Sequence, residues 1–184
     1  MDRRQLKTRK AIFTAFRTLL MKKRYENITV QEIIDEADIG RSTFYAHFET
    51  KDLLLDAMCE EIFHHIFEYD PCTWEGHDSE LEDKLAHILW HIRGAKNDIS
   101  GILMSESGSM FMKYFEGHLR ALLEENLSIA ETDVPREFLF SHLTASFSSA
   151  VLWWLREKMQ TEPETLSHYF VSVTGLDKYA SSNI

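Results

Sequence analysis

From Leu6 to Leu20 apolar residues recur at helical spacing. Leu6, Phe13, Phe16 and Leu20 share one face, Ile12 and Leu19 lie beside it, and Arg3, Lys7, Arg9, Lys10 and Arg17 occupy the other side. The pattern breaks near Tyr25 to Asn27 and restarts with Ile28-Thr29-Val30-Gln31-Glu32-Ile33. Thr29 at an N-cap with Glu32 three residues on is a capping box, and Ile28 and Ile33 are placed as its hydrophobic staple. A short helix with Val30, Ile33, Ile34 and Ala37 inward is interrupted by Asp38-Ile39-Gly40. A second short amphipathic segment runs from Arg41, with Ile39, Phe44 and Phe48 inward, and Thr50 is placed to cap a longer helix reaching Phe67.

Beyond it, Tyr69 to Asp78 reads as a loop. Ser79 and Glu82 form a second capping box before a helix with Leu81, Leu85, Ile88 and Ile92 in register. Gly101 and Gly108 break the stretch from Asn97 into a short helix and a turn. Phe111 to Leu127 is helical, a long helix is expected from about Pro135 to Met159, and Pro163 suits the first position of a last helix closed by Gly175. That last helix carries Leu166, Tyr169 or Phe170, and Val173. About nine helices and no strand predict an all-α chain, consistent with only 7 Gly and 3 Pro in 184 residues.

Charge sharpens the picture. The net charge of −10 argues against a nucleic-acid partner when taken over the whole chain. Residues 1–51, however, hold 11 Lys and Arg against 7 Asp and Glu, whereas residues 52–184 hold 9 against 23. A basic end on an acidic body can approach phosphates with one face only. Two cysteines make neither a disulfide framework nor a four-ligand zinc site. No secretory signal is visible and no apolar run approaches the ~18 residues of a membrane span, so a cytoplasmic protein without a membrane partner is expected.

Two short helices joined by a tight turn, inside the basic part, have the form of a helix-turn-helix. The first must be held across the sugar-phosphate backbone, and the N-terminal residues of the second must reach base edges. In Gly40-Arg41-Ser42-Thr43-Phe44-Tyr45-Ala46-His47-Phe48 the outward positions are Arg41, Ser42, Thr43, Tyr45 and His47. Arg bonds guanine in bidentate fashion, and Ser and Thr read polar edges or a thymine methyl.

The whole stretch from Thr29 to Leu54 resembles the DNA-binding signature of the TetR family of bacterial transcriptional regulators. Thr43-Phe44-Tyr45, then His47-Phe48, then Lys51-Asp52-Leu53-Leu54 stand in that family's order and spacing. The segment Val151-Leu152-Trp153-Trp154-Leu155, followed by Glu162-Pro163-Glu164, is similar to a branch of short family members. The resemblance implies a helix-turn-helix DNA-binding domain over residues 1–50, with three helices, and a helical ligand-binding and dimerisation domain over 51–184. It implies that Thr29 caps the second helix and touches a phosphate and that Arg41, Ser42 and Thr43 face the bases. Tyr45 then presses on the backbone beside His47, and Lys51 binds a phosphate aided by the helix dipole. Asp38 stands where the family often has Gly, which a left-handed Asp tolerates. Gly40 replaces the usual Ser cap and removes one phosphate-contacting hydroxyl.

In the acidic body, Phe138 to Leu155 is apolar on more than one face, with small residues between the large ones. A helix apolar all round must be buried all round, which in a small body calls for a second subunit. The resemblance implies a homodimer through the last two long helices, and Phe140, Leu143, Phe147, Val151, Trp154 and Phe170 are the candidate contacts. A two-fold dimer reads a palindromic operator. The resemblance also implies an effector, small molecule or protein, for which Trp90, Met104, Met110, Phe115, His118 and Phe147 are candidate lining residues. For each of these the plainer reading is a core residue that lines nothing. His87 and His91 at i, i+4 raise a metal site, but they fall off the apolar stripe and no Glu follows His87 as in metalloprotease helices, so neither metal nor cofactor is expected. No nucleophile elbow, phosphate-cradling loop or catalytic carboxylate pair is present, which speaks against an enzyme. The reading is a repressor released from its operator by an effector. Its rivals are a helical protein-interaction module, a helical metal-binding protein, and an effector-dependent activator on the same fold.

Overall fold

A computed structural model describes residues 3–67, 81–94, 99–127 and 134–176. The described residues form nine α-helices and no strand. These are α1 (Arg3–Lys22), α2 (Val30–Glu36), α3 (Arg41–His47), α4 (Lys51–Phe67), α5 (Leu81–Gly94), α6 (Ile99–Leu103), α7 (Gly108–Asn126), α8 (Arg136–Arg156) and α9 (Pro163–Thr174), with one 3-10 turn at Tyr25–Asn27. The loop over Tyr69 to Asp78 and the Ser79 capping residue lie outside the described residues. The chain packs as two units, Met1–Ile62 with Asn97–Phe111, and Phe63–Lys96 with Met112–Ile184. This packing division is a different cut from the expected boundary at residue 50, because α4 as far as Ile62 and the short α6 join the first unit.

In the first unit, α1 buries Ile12, Phe13, Ala15, Phe16, Leu19 and Leu20. The expected stripe begins one turn too early: Leu6 is 52% exposed, since the first turn of α1 runs past the core. The turn between α6 and α7 closes over the end of α1. The Ser107 hydroxyl donates to the Lys23 carbonyl at 3.4 Å and accepts the Tyr25 N–H at 3.1 Å, and Arg24 pairs with Glu106 at 3.1 Å. Gly108 is required there, because a Cβ at that position would stand 2.1 Å from the Leu103 carbonyl oxygen.

The second unit is built on packed aromatic rings, one pair stacked and one edge to face. Phe115 lies 6.4 Å from Phe147 and Phe147 5.0 Å from Phe170, centre to centre. Trp154 is fully buried and its indole N–H donates to the Thr161 carbonyl at 2.7 Å, pinning the turn between α8 and α9. α8 ends at Arg156, three residues short of Met159, because Lys158 and Met159 are left-handed, with φ of 56° and 55°. α9 is fastened to α5 by Ser167 Oγ donating to the Glu82 carbonyl at 2.6 Å, Trp90 Nε1 to Glu164 at 2.7 Å, and an Arg93–Glu162 pair. Pro163 sits in its first turn and Gly175 is the left-handed C-cap, as the sequence predicts.

α8 is long and apolar enough, at mean hydropathy 1.2, to cross a membrane by length and composition, contrary to the expectation that no segment qualifies. Its stripe from Phe140 to Leu155 is nonetheless buried inside its own unit, as in a core helix.

Candidate nucleic-acid interface

The site is built outward from the cap of α2. Thr29 Oγ1 accepts the Glu32 N–H at 3.2 Å, while Glu32 Oε2 accepts the Thr29 N–H at 2.9 Å. The box is therefore complete, and Ile28 and Ile33 beside it are both buried. Lys23 pairs with Glu32 from outside the box. The Lys23 hydrogen bond, followed by the Thr29 N–H and hydroxyl, lowers the Glu32 carboxyl to about 2. That anchor, invisible to the motif itself, fixes the start of α2 against the end of α1.

The turn after α2 is a Schellman arrangement. Asp38 is left-handed at φ 50°, its N–H donates to the Asp35 carbonyl, and the Ile39 N–H reaches back to Ile34, both at 3.2 Å. Gly40, with φ −76°, is the N-cap of α3 and offers no side-chain cap. Phe44 and Phe48 are buried, and Phe48 stacks on Phe13 of α1 at 5.7 Å. This orientation leaves Arg41, Ser42 and Tyr45 exposed, with Thr43 and His47 half-buried at the margin. The Arg41 guanidinium lies 5.7 Å from the centre of the Tyr45 ring, one helical turn on, so the ring steadies the longest of the outward side chains. The sequence-predicted set from Thr29 to His47 thus shares one compact arrangement of two short helices, the first of them held by a capping box.

Lys51 is placed differently. Its ammonium donates to the Tyr25 carbonyl at 2.8 Å and the Ile28 carbonyl at 2.7 Å, and lies 4.1 Å from the centre of the Tyr25 ring. Burial lowers its pKa, against the opposing pull of Asp52, Glu26 and Glu32. Tyr25 also bonds Asp52. Lys51 therefore clamps the start of α4 to the 3-10 turn before α2, and two of its three donors are spent inside the protein. Thr50 caps α4 as expected, its hydroxyl accepting the Leu53 N–H at 3.1 Å.

The candidate dimer contacts need correction. Phe140, Leu143, Phe147, Val151, Trp154 and Phe170 are all buried within the second unit, so none is presented to a partner. The apolar residues left outside are Phe138 (64% exposed) and Trp153 (45%) on α8, with Tyr169 and Val173 (85%) on α9. Phe138, His142, Ala145, Ser149 and Trp153 recur at steps of three and four, and so line one side of α8. The last-helix stripe is accordingly Leu166, Phe170 and Val171, not Val173.

The candidate effector lining is divided between the two units. Met104 and Met110 fall in the first unit, and Met104 is exposed. Trp90 is exposed on α5, bonded to Glu164. Phe115 and Phe147 stack on each other, and His118 lies against Phe67 at 5.5 Å. His87 and His91 have rings 4.4 Å apart, and among the described residues no group of three metal-ligand side chains forms. Cys59 is buried, and burial pushes its thiol up to about 12, which makes it a poor nucleophile.

Residues 12–58 match the sequence model of the bacterial regulatory proteins of the tetR family, and residues 79–174 match that of a transcriptional regulator C-terminal region. The chain is 30% identical over 185 residues to the HTH-type transcriptional regulator YxbF of Bacillus subtilis (strain 168), covering 97% of this chain and 47% of that relative. It thus spans about half the length of that curated relative. A TetR transcriptional regulator from Streptococcus agalactiae 2603V is 36% identical with a TM-score of 0.73, over 94% of this chain and 96% of that one. The regulator FadR from Bacillus subtilis, solved in complex with stearoyl-CoA, shares the fold at 15% identity and a TM-score of 0.60, over 89% and 96% of the two chains.

Proposed function

The chain belongs to the TetR family of bacterial transcriptional regulators, and from that premise we propose that it binds a palindromic operator as a homodimer and represses transcription until an effector releases it. The observation that carries the reading is the short α3, seated on Phe44 and Phe48 and offering Arg41, Ser42 and Thr43 at its N-terminal end. In the major groove, Arg41 bonds a guanine edge, Ser42 and Thr43 read neighbouring positions, and Tyr45 and His47 meet the backbone. Thr29 and the N-terminus of α4 face phosphates, with Lys51 contributing mainly by holding that terminus in place.

Dimerisation proceeds through the outer side of α8 and α9, where Phe138, Trp153, Tyr169 and Val173 supply large apolar surface and Ala145 and Ser149 allow close approach. Two heads related by a two-fold axis then meet half-sites one helical turn or a multiple apart. FadR, a relative in fold, is a regulator solved with stearoyl-CoA, which supports an effector for this chain too. An effector acts by binding one head separation better than the other. The activity is that of a cytoplasmic DNA-binding regulator and not of an enzyme.

The test is selection of genomic fragments on the purified protein at near-physiological salt, with sequencing of what is retained. A short palindrome is expected. Diffuse retention that disappears as salt rises would instead mean non-specific attraction to the basic end, and would overturn the reading.

A further inference from the structure

We propose that the DNA-reading unit carries its own binding site for a small amphiphilic carboxylate, in a groove between α1 and α4. The groove is open on one side and has a volume of about 650 Å³, within the usual range of small-molecule sites. Its apolar lining is Leu6, Phe13, Met58 and Ile62, and its charged lining is Arg9, Lys10, Arg17 and Glu61. Three cations therefore face one acid, which lies 3.5 Å from Arg9. The occupant that satisfies both linings has an anionic head and an apolar body.

Leu6 supports the assignment. It is the one member of the α1 apolar stripe that the core does not use, and it turns its side chain to this groove. A DNA backbone would use the cations but has no apolar part to place on Leu6, Phe13, Met58 and Ile62. Arg9 also links the groove to the reading helix. Its guanidinium lies 4.7 Å from the centre of the Phe13 ring and 5.3 Å from that of Phe48, the C-cap residue of α3. An anion that draws Arg9 away from these rings changes the seat of α3. Binding in the groove stands without the proposed repressor cycle, whereas its consequence for operator binding rests on that reading.

The experiment uses the full chain labelled with ¹³C at its methionine methyls, titrated with sodium octanoate below its micelle-forming range. Met58 alone of the methionines lines the groove, so the others serve as internal controls. A saturable shift of the Met58 methyl is expected with octanoate, and none with octan-1-ol or acetate at the same concentration. Lys10→Glu, on the exposed rim, is expected to weaken octanoate binding by about tenfold or more, and Arg17→Gln to weaken it in the same direction. An unmoved Met58, equal binding of octan-1-ol, or unchanged affinity in Lys10→Glu would each overturn the proposal. So would a Met58 shift produced by a short DNA duplex and not by octanoate, which would make the groove a backbone contact.

Discussion

Replacing Lys51 by Met separates two roles that the motif alone assigns to one residue. The substitution keeps the length of the side chain and removes its charge. It deletes two charge-assisted hydrogen bonds, at 2.8 and 2.7 Å, to the carbonyls of Tyr25 and Ile28. Such bonds contribute about 1.5–3 kcal/mol each. Part of that is offset in this site, because burying the ammonium costs enough to lower its pKa, and because the Tyr25 carbonyl keeps its bond from the Ile28 N–H at 3.0 Å. The side chain is only half-buried, so water recovers some of the remainder. The net expectation is a loss of about 1–2 kcal/mol in urea unfolding. DNA affinity should also fall, because the start of α4 and the turn before α2 lose their clamp. The discriminating assay is the salt dependence of that affinity. A clamp leaves the slope of log K against log salt nearly unchanged, whereas a phosphate contact by the ammonium lowers it by about 0.9. Unaltered stability with a slope reduced by a full contact would refute the clamp and return Lys51 to the phosphate role that its position in the motif suggests.

The remaining expectations concern other parts of the same architecture. Arg41→Ala should cost about 1–3 kcal/mol on the preferred operator and relax selection at one base position per half-site, read by competition with operator variants. Asp38→Gly should raise stability by about 0.5–1 kcal/mol, since glycine takes the left-handed φ of 50° without a Cβ penalty; unchanged or lower stability would show that the Asp side chain repays the strain. Trp153→Glu, on the outer side of α8, should shift the protein toward monomer in sedimentation velocity without unfolding it, whereas a charge at the buried Trp154 should unfold the second unit. The Glu32 carboxyl, lowered from 4.5 to about 2, adds stability that is complete above its unfolded pKa and is lost as pH falls through the folded one. Unfolding free energy should therefore drop between pH 4.5 and 2, and Glu32→Gln should flatten that part of the profile.

The helix-turn-helix was legible because its determinants are local. Thr29 and Glu32 are three residues apart, the Asp38 turn needs one left-handed residue, and Phe44 and Phe48 repeat at one turn. Each of these acts through hydrogen bonds or packing that the chain forms with its own neighbours. The Lys23 bond to Glu32, nine residues away, had no such signature, and neither did the 26-residue reach from Lys51 to the Tyr25 carbonyl. In both cases a flexible cation has many acceptors in reach, and only the fold decides between them.

The sequence by itself determined the order of the helices, the Thr29 and Thr50 caps, the turn between the two short helices and the family to which the chain belongs. Helical periodicity and capping boxes are properties of a single segment, and they survive whatever the segment packs against. Only the tertiary structure decided which side of α8 lies inside. That helix is apolar on opposite sides, and a 3.6-residue repeat says that a stripe exists without saying what covers it. Phe140 and Trp154 went to the core with Phe147, which meets Phe170 edge to face, while Phe138 and Trp153 stayed outside. The same holds at Leu6: its spacing places it on the buried face of α1, and the core ends before it arrives.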